Sequence, residues 1–195
     1  FVSNLIGMEA LSAINLTAPA IALITAISGM LATGGSAVVM KKMGEHRAQE
    51  ARQDFTLLIL TNAVVGAVMM LLGYTLMDTL LGTMGLSPAV FGYCHTYLSN
   101  YLLFTIPILL MYNFSLYLIA ADKSTLSLIC TVAGGVTNII LDYVLIALFD
   151  MGIQGAAIAT GLGYSITAVV GFLVFQKQDS LLHFEKPVFR GGVLF

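Results

Sequence analysis

Charge is what this chain has least of. Asp, Glu, Lys and Arg make up 9% of its 195 residues, against about 25% in soluble domains. With 58% hydrophobic residues, that scarcity excludes a soluble globular fold. Cysteine is almost missing too. Cys94 and Cys130 are the only two, and they fall toward opposite ends of adjacent apolar runs, too far apart for a disulfide. Both read as small apolar residues. The three histidines, His46, His95 and His183, are scattered without metal-ligand spacing. HExxH, GxSxG, GxGxxG and P-loop patterns are absent, so the usual signatures of hydrolase and nucleotide chemistry are missing. No cofactor and no nucleic-acid partner are expected. No repeat of 20–50 residues and no low-complexity tract is present.

What is there is a set of five long apolar runs, at about 16–40, 55–77, 97–121, 126–149 and 153–175. Each has 23 to 25 residues, and about 20 suffice to cross a hydrocarbon core of roughly 30 Å. Their Gly, Ser, Thr and Pro are ordinary in membrane helices. The fold class this predicts is an all-α integral membrane protein, a polytopic bundle of five full transmembrane helices. The apolar opening FVSNLIG reads as the end of an earlier helix. Five spans and this stub predict one lobe of something larger, with residues 1–176 as the transmembrane lobe and 177–195 as a linker.

The eight basic residues set the topology. Lys41, Lys42, Arg47, Arg52, Lys123, Lys177, Lys186 and Arg190 fall in three segments that five spans place on one side. Residues 78–93 and the Asp150 turn carry no Lys or Arg. The positive-inside rule makes loops 41–53 and 121–124 and the tail after 176 cytoplasmic, in a cell membrane. Residues 41–54 are expected to form a short amphipathic helix, and 78–93 an outer loop with turn signals at Gly82, Gly85 and Pro88. Pro107 is expected to kink the third span. Small residues recur at four-residue spacing, Ser28, Ala32 and Ser36 on the first span and Gly155, Ala159 and Gly163 on the last. Such stripes let membrane helices approach closely.

One charge stands against this apolar background. Asp142 is the sole formal charge in 126–149, and an Asp at the centre of a membrane helix costs roughly 2.5–3.5 kcal/mol on insertion scales. Asn138 precedes it by four residues, on the same helical face. Thr160 lies as far beyond Met151 as Asp142 lies before it, so both sit roughly 10–14 Å from that turn. Matching depth does not show that the faces match. An amide, a carboxylate and a hydroxyl offer oxygens to Na+ or hydrogen bonds to either protonation state of the acid. Burial disfavours the ionised carboxylate and makes proton uptake possible. The bland alternative is a structural Asp that ties helices together. Weaker cavity or substrate candidates are Tyr97, Asn100 and Tyr101, which share a face near the outer end of the third span, and Asn113 on roughly the opposite face. Interfacial anchoring is the plainer role for the tyrosines.

IGMEALSAINLTAP (6–19), GMLATGGSAVVMKKMGE (29–45), NIILDYVLI (138–146) and MGIQGAAIAT (151–160) resemble the N-terminal lobe of multidrug and toxic compound extrusion (MATE) transporters. The likeness runs over nearly the whole chain and is similar to the prokaryotic branch related to DNA-damage-inducible transporters. The resemblance implies twelve helices in two lobes, and efflux of organic, often cationic, compounds by H+ or Na+ antiport. It implies a coupling-ion site with an Asn and an Asp on the fifth helix and a Thr on the sixth, matching Asn138, Asp142 and Thr160. It also implies an Asp from a first helix upstream of Phe1. The partners implied are the lipid bilayer, small organic cations or drugs, and a C-terminal lobe. A lipid-linked-sugar flippase would be expected to carry cationic groups in its cavity, and the spans contain no Lys or Arg. An intramembrane enzyme with Asp142 as acid or base would be favoured by a second intramembrane acid, which the spans do not supply. A purely structural subunit is the remaining alternative.

Overall fold

The structure, a computed structural model, describes residues 6–177 and 180–188. Six α-helices follow one another: α1 Met8–Gly44, α2 Ala48–Thr83, α3 Pro88–Leu102, α4 Thr105–Ala120, α5 Ser124–Asp142 and α6 Gly152–Gln176. A wider π-helical stretch, Tyr143–Leu148, continues α5. Four helical stretches are each long and apolar enough to cross a membrane, and α3 with α4, bent by 53° at their junction, makes a fifth. Helices are the natural answer in lipid, because each backbone N–H and C=O must find a partner inside its own segment.

Helix ends run past the apolar runs. α1 has 37 residues and α2 has 36, about 55 Å each at 1.5 Å per residue, so both protrude beyond a 30 Å core. Residues 78–93, expected as an outer loop, are therefore mostly helical; only 84–87 lie between α2 and α3. Ser87 caps α3, its hydroxyl accepting from the Val90 N–H at 3.4 Å, with Pro88 in the first turn. The expected helix across 41–54 does not form either. His46 takes φ 61°, a left-handed conformation that ends α1 and turns the chain into α2. Asp122 (φ 61°) and Asp150 (φ 52°) close the turns before α5 and α6 in the same way, as Asp tolerates better than most residues.

The expected kink in the third span is present, a bend of 53°. Pro107 lies in the first turn of α4, where its missing N–H is harmless. Its ring clashes with the carbonyl four residues back, at Leu103. The helix accordingly breaks at Leu103 and Phe104, one turn before the proline.

α6 packs against α3, α4 and α5. Gly155, Ala159 and Gly163 are buried on it, as are Ser28 and Ala32 on α1. Gly134 on α5 and Gly163 lie so close that a Cβ on either would stand 2.7–2.8 Å from the other's carbonyl oxygen. At the basic end, Phe55, Phe114, Tyr117 and Phe175 are fully buried together with Leu182. Beyond α6 the chain turns back over this cluster. The Phe184 N–H donates to the Phe175 carbonyl and the Glu185 N–H to Thr56 Oγ1, both at 3.0 Å. Residues 1–5 of the apolar opening and the end of the tail, with Arg190, lie outside the described residues.

Candidate functional site

Asp142 is the last residue of α5, where regular α-helical bonding gives way to the wider turns of 143–148. Within them the Phe149 N–H reaches the Val144 carbonyl at 3.0 Å, five residues back. Such π-turns inside membrane-length helices re-aim neighbouring side chains and cluster at functional sites. The Asp142 side chain is half-buried, and its Oδ1 is enclosed without a hydrogen-bond partner among the described residues. No salt bridge in those residues involves it.

One turn back along α5, Asn138 Nδ2 donates to Thr160 Oγ1 on α6 at 3.3 Å. Thr160 donates in turn to the Ala156 carbonyl at 2.9 Å. The close approach at Gly134 and Gly163 is what brings these side chains within reach. Asn138 and Thr160 border a cavity of about 310 Å³ between α5 and α6, with Thr131, Thr167, Tyr164 and Met111 on its wall. The wall is apolar apart from hydroxyls and one amide.

Tyr97 and Tyr101 are not interfacial anchors. They are 7% and 2% exposed and stack on each other inside the bundle, centroids 6.2 Å apart. Tyr97 interacts with Thr160 and lies within electrostatic reach of Asp142 and Tyr164. Tyr101 lies within electrostatic reach of Tyr164 and Tyr112, both of which pack against the same buried cluster. The four tyrosines thus belong to one packed group, of which Tyr97 is the member within electrostatic reach of the carboxylate. Tyr164 and Tyr112 went unnoticed in the sequence, although Tyr164, four residues after Thr160, shares its face.

Asn100 sits elsewhere. It donates to the Thr96 carbonyl at 2.8 Å and accepts from Gln154 at 3.3 Å, beside a second cavity of about 510 Å³ toward the far end, edged by Glu9 and Asp150. Asn113 is remote from Asp142. It exchanges amide hydrogen bonds with Asn62 of α2, at 2.8 and 3.3 Å, and both residues are wholly buried.

No cluster of three or more His, Cys, Asp or Glu suited to a metal exists among the described residues. The oxygens of Asp142, Asn138 and Thr160 suit a hard monovalent cation or a proton, the chemistry oxygen-only donors favour. One carboxylate with neutral partners carries a single negative charge, matched to a single positive one.

The chain has relatives with this arrangement of helices. The MatE family model matches residues 1–144. The multidrug export protein MepA of Staphylococcus haemolyticus is 23% identical over 185 residues, 95% of this chain and 41% of its own length. MepA of Staphylococcus aureus is 22% identical over 180 residues, 92% of this chain and 40% of MepA. Among solved structures, an outward-facing multidrug resistance MATE family transporter of the MOP superfamily superposes with TM-score 0.92 at 22% identity, covering 99% of this chain and 43% of that one. An inward-facing structure of such a transporter gives TM-score 0.89 at 21% identity, over 95% of this chain and 43% of that one. The chain spans less than half the length of these relatives. Members of the family are transporters rather than enzymes. With the family model covering 144 of 195 residues and the fold shared over nearly its whole length, the chain is a multi-pass membrane protein that belongs to the MatE family.

Proposed function

We propose that this chain is one lobe of a secondary active multidrug exporter, an antiporter that expels organic, often cationic, compounds against inward flow of H+ or Na+. The observation that carries the reading is the enclosed, unpartnered Oδ1 of Asp142 beside the Asn138 and Thr160 pair. An acid in lipid without a cation is expensive. A captured proton or Na+ removes that cost, so this lobe gains stability from the ion. Asp142 is the ion's charged ligand in this reading, and Asn138 and Thr160 are its neutral oxygens. The adjoining cavity presents the ring of Tyr164, a flat aromatic face suited to an organic cation. The basic end faces the cytoplasm by the positive-inside rule, and the tail beyond α6 leads toward the rest of the transporter.

Coupling requires that the ion bind two lobe conformations with different affinity. Release of the Asn138 and Thr160 hydrogen bond in favour of the ion is such a difference. The test is Asp142→Asn in the complete reading frame, reconstituted in proteoliposomes under separate H+ and Na+ gradients. Substrate efflux should lose its dependence on the driving ion. Efflux that keeps the wild-type ion dependence would overturn the assignment.

A further inference from the structure

We propose that Phe104, seated on Gly161, is a positioning residue for the ion site, holding the bend that presents Tyr97 to Thr160 and Asp142; this rests on the coupling-site reading above. The three residues around the break between α3 and α4 each meet a glycine on a neighbouring helix. A Cβ on Gly73 of α2 would stand 2.6 Å from Leu102. A Cβ on Gly66 would stand 3.2 Å from the Ile106 Cα. A Cβ on Gly161 would fall inside the contact surface of the Phe104 ring. The first two glycines fix the break against α2. The third fixes it against α6, at the residue after Thr160.

The two sides of the break have different attachments. α4 is tied to α2 by the buried Asn62 and Asn113 pair and to α5 by the hydroxyls of Ser115 and Ser127, 2.9 Å apart. α3 has Tyr97 interacting with Thr160 and Asn100 with Gln154 of α6, and its Ser99 carbonyl accepts from the Tyr74 hydroxyl of α2 at 2.6 Å. Along the helix the break is closed by short-range bonds alone, among them the Thr105 hydroxyl donating to the Leu102 carbonyl at 2.8 Å. The Phe104 N–H reaches only three residues back, to Tyr101 at 3.0 Å, and Pro107 offers no N–H to the Leu103 carbonyl. A junction of this kind does not choose its own angle. The 53° bend is set by what the flanking side chains rest on, and on the α6 side that is the socket at Gly161. Tyr97 lies seven residues before Phe104, two helical turns away, so a small change of angle at Phe104 is magnified at its hydroxyl.

Three variants in the complete reading frame test this: Phe104→Ala empties the socket, Gly161→Ala fills it, and Phe104→Ala with Gly161→Ala does both. The readouts are the driving-ion concentration for half-maximal efflux, the maximal rate, and substrate affinity measured without an ion gradient. Each single variant should raise the half-maximal ion concentration roughly tenfold, as loss of a supporting contact does to an ion site. Substrate affinity should stay within about twofold, because Phe104, Gly161 and Tyr97 all lie off the cavity wall. The double variant should be no worse than Phe104→Ala alone, since the methyl then has no ring to displace. Phe104→Leu, which keeps an apolar side chain on the socket, should recover most of the loss and serves where Phe104→Ala is produced poorly. A fall in maximal rate or yield with an unchanged half-maximal ion concentration, or strictly additive effects in the double variant, would overturn the positioning role. Asp142→Asn distinguishes the two layers of the argument. If it leaves ion dependence intact, the site reading falls and this role with it. If it abolishes ion dependence while the Phe104 and Gly161 variants match wild type, only the positioning role falls.

Discussion

The basic end of the bundle and the Asp142 region handle polar groups in opposite ways. At the basic end, Asp54 is 1% exposed and holds Lys42 in a direct ion pair, with Glu50 a further 3.8 Å from the same ammonium. Phe55 packs edge-on to Tyr117 at 4.8 Å and against Phe175 at 5.0 Å. The chain beyond α6 covers this cluster with Leu182 and Phe184. Among the buried side-chain atoms of the described residues there, the Tyr117 hydroxyl and one Glu185 oxygen lack a partner. Around Asp142, among the described residues, no basic side chain pairs with the carboxylate and one of its oxygens has no donor, while Asn138 and Thr160 border a cavity. Buried charge that serves only the fold is paired, because removing one partner costs several kcal/mol. A site that must bind and release an ion cannot be completed by its own protein.

The difference can be broken most forcefully at the packed end. Phe175 is fully buried between Phe55 and Phe114, so Phe175→Ala should cost about 3–5 kcal/mol of stability, the range for deleting a core aromatic. Unfolding in detergent can be followed with a thiol-reactive dye, because Cys94 and Cys130 are free and buried in the fold. A loss of less than about 1 kcal/mol would mean that this end is no better packed than the site. A smaller effect is expected at the pair that joins α2 to α4. Asn62→Leu strands the Asn113 amide and should cost about 1–3 kcal/mol. Replacing both with Leu should recover most of that, because no unpaired amide remains. If the double variant is as unstable as the single, the pair does more than satisfy itself.

How much of this was legible beforehand depended on which force decides each feature. The five crossings follow from charge-free runs, since transfer to lipid depends on composition. Helix ends do not: α1 continues through Lys41 and Lys42 to Gly44, because backbone bonding continues where hydropathy has ended. The bend in the third span was legible from Pro107, and the clash of its ring with the carbonyl four residues back puts the break at Leu103 and Phe104. Asp142, Asn138 and Thr160 were visible as rare polar residues at helical spacing. The depth match of Thr160 followed from counting, whereas its contact with Asn138 depends on Gly134 and Gly163 bringing the helices together, which no local pattern states. Tyr97 and Tyr101 looked interfacial because hydropathy cannot tell a helix end at the membrane surface from one covered by α6. The π-helical turns after Asp142 have no signal in the residues Tyr143–Leu148. They coincide with a close approach of this stretch to α6, where a Cβ on Gly155 would stand 3.0 Å from Leu145.

The smallest stability change is expected where the functional effect is largest. Asp142→Asn removes a charge that has no salt bridge and leaves an amide of nearly the same shape. Among the described residues its Oδ1 accepts no hydrogen bond that could be lost. Removing an unpaired acid from lipid is favourable by itself, and sites kept for function are commonly held at the expense of stability. The unfolding transition of Asp142→Asn should therefore lie within about 1 kcal/mol of wild type, or above it, in the same dye assay. This outcome separates the two regions where transport data cannot, since a collapsed protein also fails to transport. A structural Asp142 that tied helices together would instead behave like Asn62, and its substitution would destabilise by an amount comparable to Asn62→Leu. That result would place Asp142 with the satisfied polar groups of the packed end and remove the reason to regard it as an ion ligand.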